Sequence, residues 1–353
     1  MPRLDEKNLF ELAKASGRAA LSPSTSYTIG KETLNAQVIQ QTFQEELNEL
    51  GKTTYEYQKN APLIFELMSV ALNEVLPKSV LSAYGQFADV ITVAQGTTPV
   101  FTTRISEASK KRAKQFVTKV GLAGRYETFK LDGYKFEIPT SAIGGAARVE
   151  WEEMLDGRFT MADYYNIVLE ALDEAIYREI AKSLIATVDS IQAVNKVVAN
   201  GFVESAFDQL LQTADAYGNS TIYCTFEFAA TMLPDKDWVS NEMKDTLWNN
   251  GYFTTYKKHK VVVLPQSFED STNTTKVIDP SYAFIIPTGS EKPVKVAFEG
   301  AAQVKSFGNR DWSEEIETYQ KVGVSTYLVN PGICVYQNQS LSIENTPYND
   351  TSI

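Results

Sequence analysis

From Thr160 to Val188 the chain returns to an apolar residue every three or four positions: Tyr165, Leu169, Leu172, Ile176, Ile180, Leu184 and Val188. That spacing is one stripe of an α-helix of about thirty residues, roughly 40 Å long at 1.5 Å per residue. Thr160 followed by Asp163 reads as the capping box that starts it. The pattern makes this the longest expected helix, with its stripe laid on β structure. Just before it, ARVEWEEMLDG at 147–157 alternates as a strand whose polar face is acidic, Glu150 and Glu152, with Glu153 and Asp156 beyond.

The first sixty residues read as an arm. SPSTSYTIG at 22–30 is polar and turn-like, after which Leu34, Val38, Phe43, Leu47 and Leu50 recur at helical spacing until Gly51 supplies a stop. One amphipathic helix cannot bury its stripe alone, so it needs a host surface. A second helix is expected over 62–76, PLIFELMSVALNEVL, opened by Pro62 and followed by Pro77.

The whole chain carries a formal charge of −11, but residues 98–137 hold nine Lys and Arg against four Asp and Glu, a net of +5 that leaves −16 elsewhere. Arg104, Lys110, Lys111, Arg112 and Lys114 concentrate that charge. Phe129 and Leu131 alternate, Asp132-Gly133 intervenes, and Tyr134, Phe136 and Ile138 alternate in the opposite phase, a tight turn or bulge in β structure. SEASKKRAKQFVTK at 106–119 reads as a short helix at the tip. Downstream, helices are expected over 203–217 and 237–250, and strands over 221–226, 260–265, 282–287, 293–300, 314–329 and 333–336. The tail from Gln337 reads as solvated, and the class is α+β.

The raw material of a catalytic or metal site is sparse: 353 residues include one histidine, His259, and two cysteines, Cys224 and Cys334. His259, in KKHK, reads as an exposed residue where a strand begins, and Cys224 as a small buried side chain. No CxxC, GxSxG, HExxH or GxGxxG occurs. Gly51-Lys52-Thr53 mimics the end of a phosphate-binding loop, but the upstream position that needs glycine is Glu46. Gly121 and Gly124, near Lys119 and Arg125, read as turn glycines. Neighbouring carboxylates, Glu45-Glu46, Glu152-Glu153 and Glu314-Glu315, diverge on either a strand or a helix and do not converge on one bond. No catalytic residue, cofactor or metal is expected. The charged start and the short VVVL at 261–264 lead to the expectation of neither a standard signal nor a membrane span.

The order of arm, basic extended loop, strand ending in acids, long helix and α+β domain resembles the major capsid proteins of tailed bacteriophages, the Hong Kong 97 fold. Residues 147–185 are similar to that family's strand and spine helix, and 256–267 with 283–300 to its axial-domain strands. The resemblance implies an N-terminal arm at 1–60 and a peripheral domain at 61–189 with E-loop 92–138 and spine helix 159–188. It further implies an axial domain at 190–310, then return strands and tail at 311–353. The implied function is a viral structural subunit that self-assembles as hexamers and pentamers into an icosahedral shell around double-stranded DNA. The virion would be its location and the host cytoplasm its place of synthesis. Partners would be itself, weakly held DNA, and scaffolding, portal and decoration proteins. Arg104, Lys110, Lys111, Arg112 and Lys114 would make intersubunit contacts, with Glu150, Glu152, Glu153 and Asp156 as acidic partners. An encapsulin-type compartment shell and a cytoplasmic enzyme with an unrecognised site are the alternatives.

Overall fold

The computed structural model describes residues 6–19, 26–29, 32–85, 88–103, 134–150, 160–232, 248–264, 266–268, 272–287, 292–308, 313–327 and 331–341. The expected helix at 106–119, the alternation at 129–131, the acidic run at 151–157, residues 237–247 and the tail beyond 341 lie outside them. The chain forms two compact units: Met1–Phe101 with Phe136–Ile180 and Val294–Ser325, and Thr102–Lys135 with Ala181–Pro293 and Thr326–Ile353.

In the first unit, α1 (Glu6–Ala19), α2 (Ala36–Leu50) and α3 (Thr54–Tyr84) pack on one another, with a short hairpin of β1 (Ser26–Ile29) and β2 (Glu32–Asn35) between α1 and α2. α1 buries Leu9 and Leu12, and α2 buries Ile39, Phe43, Leu47 and Leu50. The stripe that needed a host therefore finds it within the same unit. Gly51 ends α2 with its N–H on Leu47 O (3.3 Å), and Thr53 caps α3 by accepting the Glu56 N–H (3.2 Å). Gly51-Lys52-Thr53 is thus the turn between two helices.

The longest described helix is α3, with 31 residues, whereas α4 (Met161–Ala186) has 26. Pro62 and Pro77, read as its limits, lie inside it. An interior proline costs about 3 kcal/mol or more through its missing N–H. Against that, α3 buries Ile64, Leu67, Met68, Leu72, Val75, Leu76 and Val80, each contributing about 1.5–3 kcal/mol. Burial wins, and the helix runs through both prolines.

α4 opens with the anticipated box: the Asp163 N–H donates to Thr160 Oγ1 (3.2 Å) and the Thr160 N–H to Asp163 Oδ2 (3.0 Å). Tyr165, Leu172, Ile176, Ile180 and Leu184 are buried. Its partners include helices as well as a strand. Tyr165 meets Phe43 edge-on at 5.7 Å, Tyr177 stacks on Tyr84 at 5.4 Å, and the Tyr164 hydroxyl donates to Ile316 O (3.2 Å).

The first unit's sheet runs β3 (Ala88–Val93), β12 (Val294–Gly308), β13 (Ser313–Thr326), β6 (Ser141–Glu150), and a separate pair joins β4 (Val100–Thr103) to β5 (Tyr134–Glu137). β12 lies parallel to β3, and β6 antiparallel to β13. Val294 to Glu299 are all buried, so this part of β12 is covered on both faces. α3 meets β12 through Asn73, whose Oδ1 accepts the Ala302 N–H (2.7 Å). A cavity of about 450 Å³ opens beside Pro62, between Phe65 and Glu66 of α3 and Lys305 and Phe307 of β12.

The second unit has a six-stranded sheet, in order β7 (Lys196–Ala199), β14 (Cys334–Asn338), β11 (Tyr282–Pro287), β8 (Ser220–Thr225), β10 (His259–Leu264) and β9 (Thr255–Tyr256). α5 (Glu204–Asp215) and α6 (Phe226–Thr231) cover it with Phe207, Leu210, Leu211, Phe228 and Ala229. Tyr336 centres this core: its hydroxyl donates to Gly201 O and accepts the Val203 N–H, both at 2.8 Å. Gln337 and Asn338, read as tail, finish β14, and Asn338 is buried because its Oδ1 accepts the Gly201 N–H (2.9 Å).

Leu172→Asp puts an unpaired charge in the buried stripe of α4 and should cost about 3 kcal/mol or more; denaturant unfolding of the soluble fraction checks it, and an unchanged midpoint would show the stripe is not core. Deleting residues 1–55 removes Leu9, Leu12, Ile39, Phe43 and Leu47 from the first unit's core. Circular dichroism should therefore show a folding defect, not merely failed assembly of folded subunits.

Candidate functional site

Arg104, Lys110, Lys111, Arg112 and Lys114, together with Glu152, Glu153 and Asp156, lie outside the described residues. Glu150 closes β6 opposite Ser313. What the structure describes is the root from which the basic segment departs, and that root is built on one face of β12.

Along a strand alternate residues share a face, so Lys295, Ala297 and Glu299 line up together. Lys295 is buried, ion-paired to Asp89 of β3, with its Nζ 5.5 Å from the centre of the Phe101 ring. Phe101 of β4 stacks on Phe136 of β5 at 5.8 Å, and both pack with Ile138 and Ala297. The Ile138 N–H donates to Pro99 O (3.1 Å), which ties the outgoing leg to the returning one.

Glu299 gathers the rest. Its carboxylate accepts the Gly96 N–H (2.9 Å) and the Thr140 hydroxyl, and pairs with Lys321 of β13 at 3.2 Å. Those three donors, the Thr140 hydroxyl foremost, hold its pKa at about 2. Backbone geometry brings them there. Gly96 sits at φ +80° in the turn after β3, and the Thr97 N–H closes that turn on Ala94 O (3.1 Å). Pro139 passes so close to β13 that a Cβ on Gly323 would lie 2.6 Å from Pro139 O.

The sequence reading did not single out Lys295, Glu299, Thr140 or Lys321. One signal was present: Lys295 and Glu299 punctuate VKVAFE, an otherwise apolar strand, on a single face. A charged residue within a strand buried on both faces must have a partner.

A second charged cluster lies in the second unit, and it corrects one reading. His259 is buried, not exposed. Its Nδ1 lies 2.8 Å from Ser220 Oγ and 3.6 Å from Asp215 Oδ1, while the Ser220 hydroxyl donates to Asp215 Oδ1 (3.0 Å). The residue types are those of a hydrolase triad, but the wiring is not. A relay uses both ring nitrogens, one on the nucleophile and one on the carboxylate. Here both contacts fall on Nδ1, and the serine proton points at the aspartate. Partial burial opposes ionisation of Asp215, yet hydrogen bonds from Lys258 and Ser220 hold its carboxyl below the usual range. Lys257 pairs with Glu204 and Asp208, each at 2.6 Å, which raises its pKa and keeps it protonated, the opposite of a nucleophilic amine.

Cys224 and Cys334 are buried free thiols, pushed up to about 12 by burial, which leaves them unreactive. Cys224 is the small core side chain the sequence suggested. Among the described residues, no group of three or more His, Cys, Asp and Glu could hold a metal ion, and no helix is long and apolar enough to cross a membrane.

Lys257 (φ +43°) and Lys258 (φ +82°) form the two-residue turn between β9 and β10, a conformation that favours Asn-Gly. Lys258→Gly relieves about 1 kcal/mol of strain and loses an exposed ion pair worth about 0–1 kcal/mol. Thermal unfolding should show the variant gaining on the wild type as salt is raised; a loss at every salt concentration would show that the pair with Asp215 dominates.

Among known proteins, residues 23–330 match the family model described as "SPbeta prophage-derived putative capsid protein YonB". No curated protein matches. Among solved structures, the chain is similar to the capsid of a native GTA particle computed with C5 symmetry, at 12% identity over 73% of this chain and 90% of that one, TM-score 0.49. It is similar to the mature capsid of bacteriophage PhiM1 at 9% identity, over 72% and 86%, TM-score 0.47. A virus-like particle from Pyrococcus furiosus matches at 15% identity, over 75% and 97%, TM-score 0.42. The family match agrees with the resemblance to tailed-phage capsid proteins read from residues 147–185, 256–267 and 283–300. With most of its length matched, this chain belongs to the YonB family of prophage-derived capsid proteins.

Proposed function

We propose that copies of this capsid protein tile as hexamers and pentamers into an icosahedral shell enclosing double-stranded DNA, with residues 92–138 acting as an E-loop laid over an adjacent subunit. Membership of the capsid family carries the reading. The anchored root at Phe101, Phe136 and Glu299 supports it, since a basic segment fixed at its base on an acidic chain is suited to reach outward. In this reading α4 is the spine helix of a peripheral domain and the six-stranded sheet belongs to an axial domain. The virion is its destination, the host cytoplasm its place of synthesis, and scaffolding, portal and decoration proteins its further partners.

Charge fits the role. A wall around packed DNA should not adhere to it, and a chain at −11 neutralises few phosphates. Arg104, Lys110, Lys111, Arg112 and Lys114 instead meet Glu150, Glu152, Glu153 and Asp156 of a neighbour. Each exposed pair gives about 0–1 kcal/mol, but one subunit makes several and a shell repeats them.

Reversing Lys110, Lys111, Arg112 and Lys114 to Glu should turn attraction into repulsion while leaving subunits folded. Light scattering should then show loss of assembly, and wild-type assembly should weaken with salt, because exposed charges are screened beyond about 8 Å at physiological ionic strength. Unchanged assembly with intact circular dichroism would remove the electrostatic role of the loop.

A further inference from the structure

We infer that Glu299 is a positioning residue: one carboxylate latches both legs of the basic excursion to the first unit's sheet and so fixes the root from which that excursion departs. The fold alone does not require this of a residue on β12. A carboxylate held for the sheet's sake would draw its partners from neighbouring strands. Glu299 draws only Lys321 from β13; its other two partners, Gly96 and Thr140, come from the linkers that precede β4 and follow β5. Forty-four positions separate those two residues in sequence, and Glu299 brings them to one side chain.

The remaining contacts at the root differ in kind. Phe101, Phe136, Ile138 and Ala297 pack by apolar burial, which is non-directional and tolerates a swing of the hairpin about its base. Hydrogen bonds to a carboxylate weaken steeply off axis, and bonds to charged acceptors are stronger than neutral ones. Two donors converging from opposite legs on one carboxylate define an orientation where the apolar cluster defines only proximity. The neighbouring backbone has no slack. Gly300 sits at φ +69°, and a Cβ there would lie 3.0 Å from the Gln95 Cβ. Gln320 Nε2 donates to Glu299 O (3.4 Å) and Lys321 O (3.2 Å), which fixes the strand that carries the latch.

The latch itself stands apart from the proposed shell; only its consequence for assembly rests on that reading. Two variants test it. Glu299→Gln keeps the shape but removes the charge, and Thr140→Val removes one donor while Gly96 and Lys321 still hold the charged carboxylate. Hydrogen exchange would be followed by mass spectrometry on unassembled subunits, and assembly by light scattering on the same samples. Amides at 94–103 and 134–141 should exchange roughly tenfold faster or more in Glu299→Gln, and severalfold faster in Thr140→Val, since loss of a bond to a charged group opens the site locally. Amides of α3 and of 313–319 in β13 should be unchanged. Unaltered exchange at the root in both variants would overturn the latch, as would acceleration spread evenly through α3, β12 and β13, which marks an ordinary core residue. Should Glu299→Gln fail to fold, Thr140→Val decides alone. A loosened root with normal assembly keeps the latch and removes the E-loop reading; a loosened root with lost assembly supports both.

Discussion

Complete burial of a strand on both faces obliges every side chain on it to be apolar or paired, and Val294 to Glu299 of β12 meet that condition in two ways. Val294, Val296 and Phe298 are apolar and buried. On the opposite face Lys295 and Glu299 are each neutralised by a partner from another segment: Asp89 of β3, and Lys321 of β13 with the linker residues Gly96 and Thr140. Because those partners come from segments far apart in sequence, satisfying two charges on one strand also settles where β3, β13 and the segments on either side of residues 104–133 must lie. The apolar cluster of Phe101, Phe136 and Ile138 then fills the space between the charges, over Ala297.

Elements with strong local periodicity were legible from the sequence. The apolar stripe of α4, its Thr160–Asp163 box and the strands at 220–225, 259–264 and 282–287 all follow from spacing and capping, which are properties of neighbouring residues. What failed depended on distant residues. Pro62 and Pro77 are good helix limits by local rules, yet α3 runs through both because its stripe is buried along most of its length. Likewise α2 looked like a tethered arm until α1 and α3 supplied its host, and α1 was hidden by its charged start.

The candidate site was legible in its charge and not in its anchor. Counting residues finds a +5 window in a −11 chain. Finding Glu299 required knowing that residues 96, 140, 299 and 321 meet, and a single sequence gives no pairing information at such separations. His259 shows the same limit from the other side. Flanked by lysines, it reads as solvated, but parallel pairing of β10 with β8 sets it against Ser220 beneath the end of α5, where Asp215 waits. Lys257 and Lys258 before it are the exposed residues, and each is paired to an acid on that helix.

In the proposed shell, an anchored root and a weakly bonded E-loop would divide one task between them. Ordering a loop on contact subtracts from the affinity of that contact, and with about 0–1 kcal/mol available per exposed pair a wholly unordered loop would leave little net attraction. Fixing the base beforehand moves part of that entropy cost into subunit folding, where β12 and its neighbours meet it. The proposed pairs could then stay weak enough to break and re-form, so that a misplaced subunit would leave before the next one adds. A segment bound tightly to its own unit would lose that reversibility by never reaching a neighbour, and one without a fixed base would lose the attraction. Glu299, buried within the sheet and bonded to both legs, is where the two requirements meet.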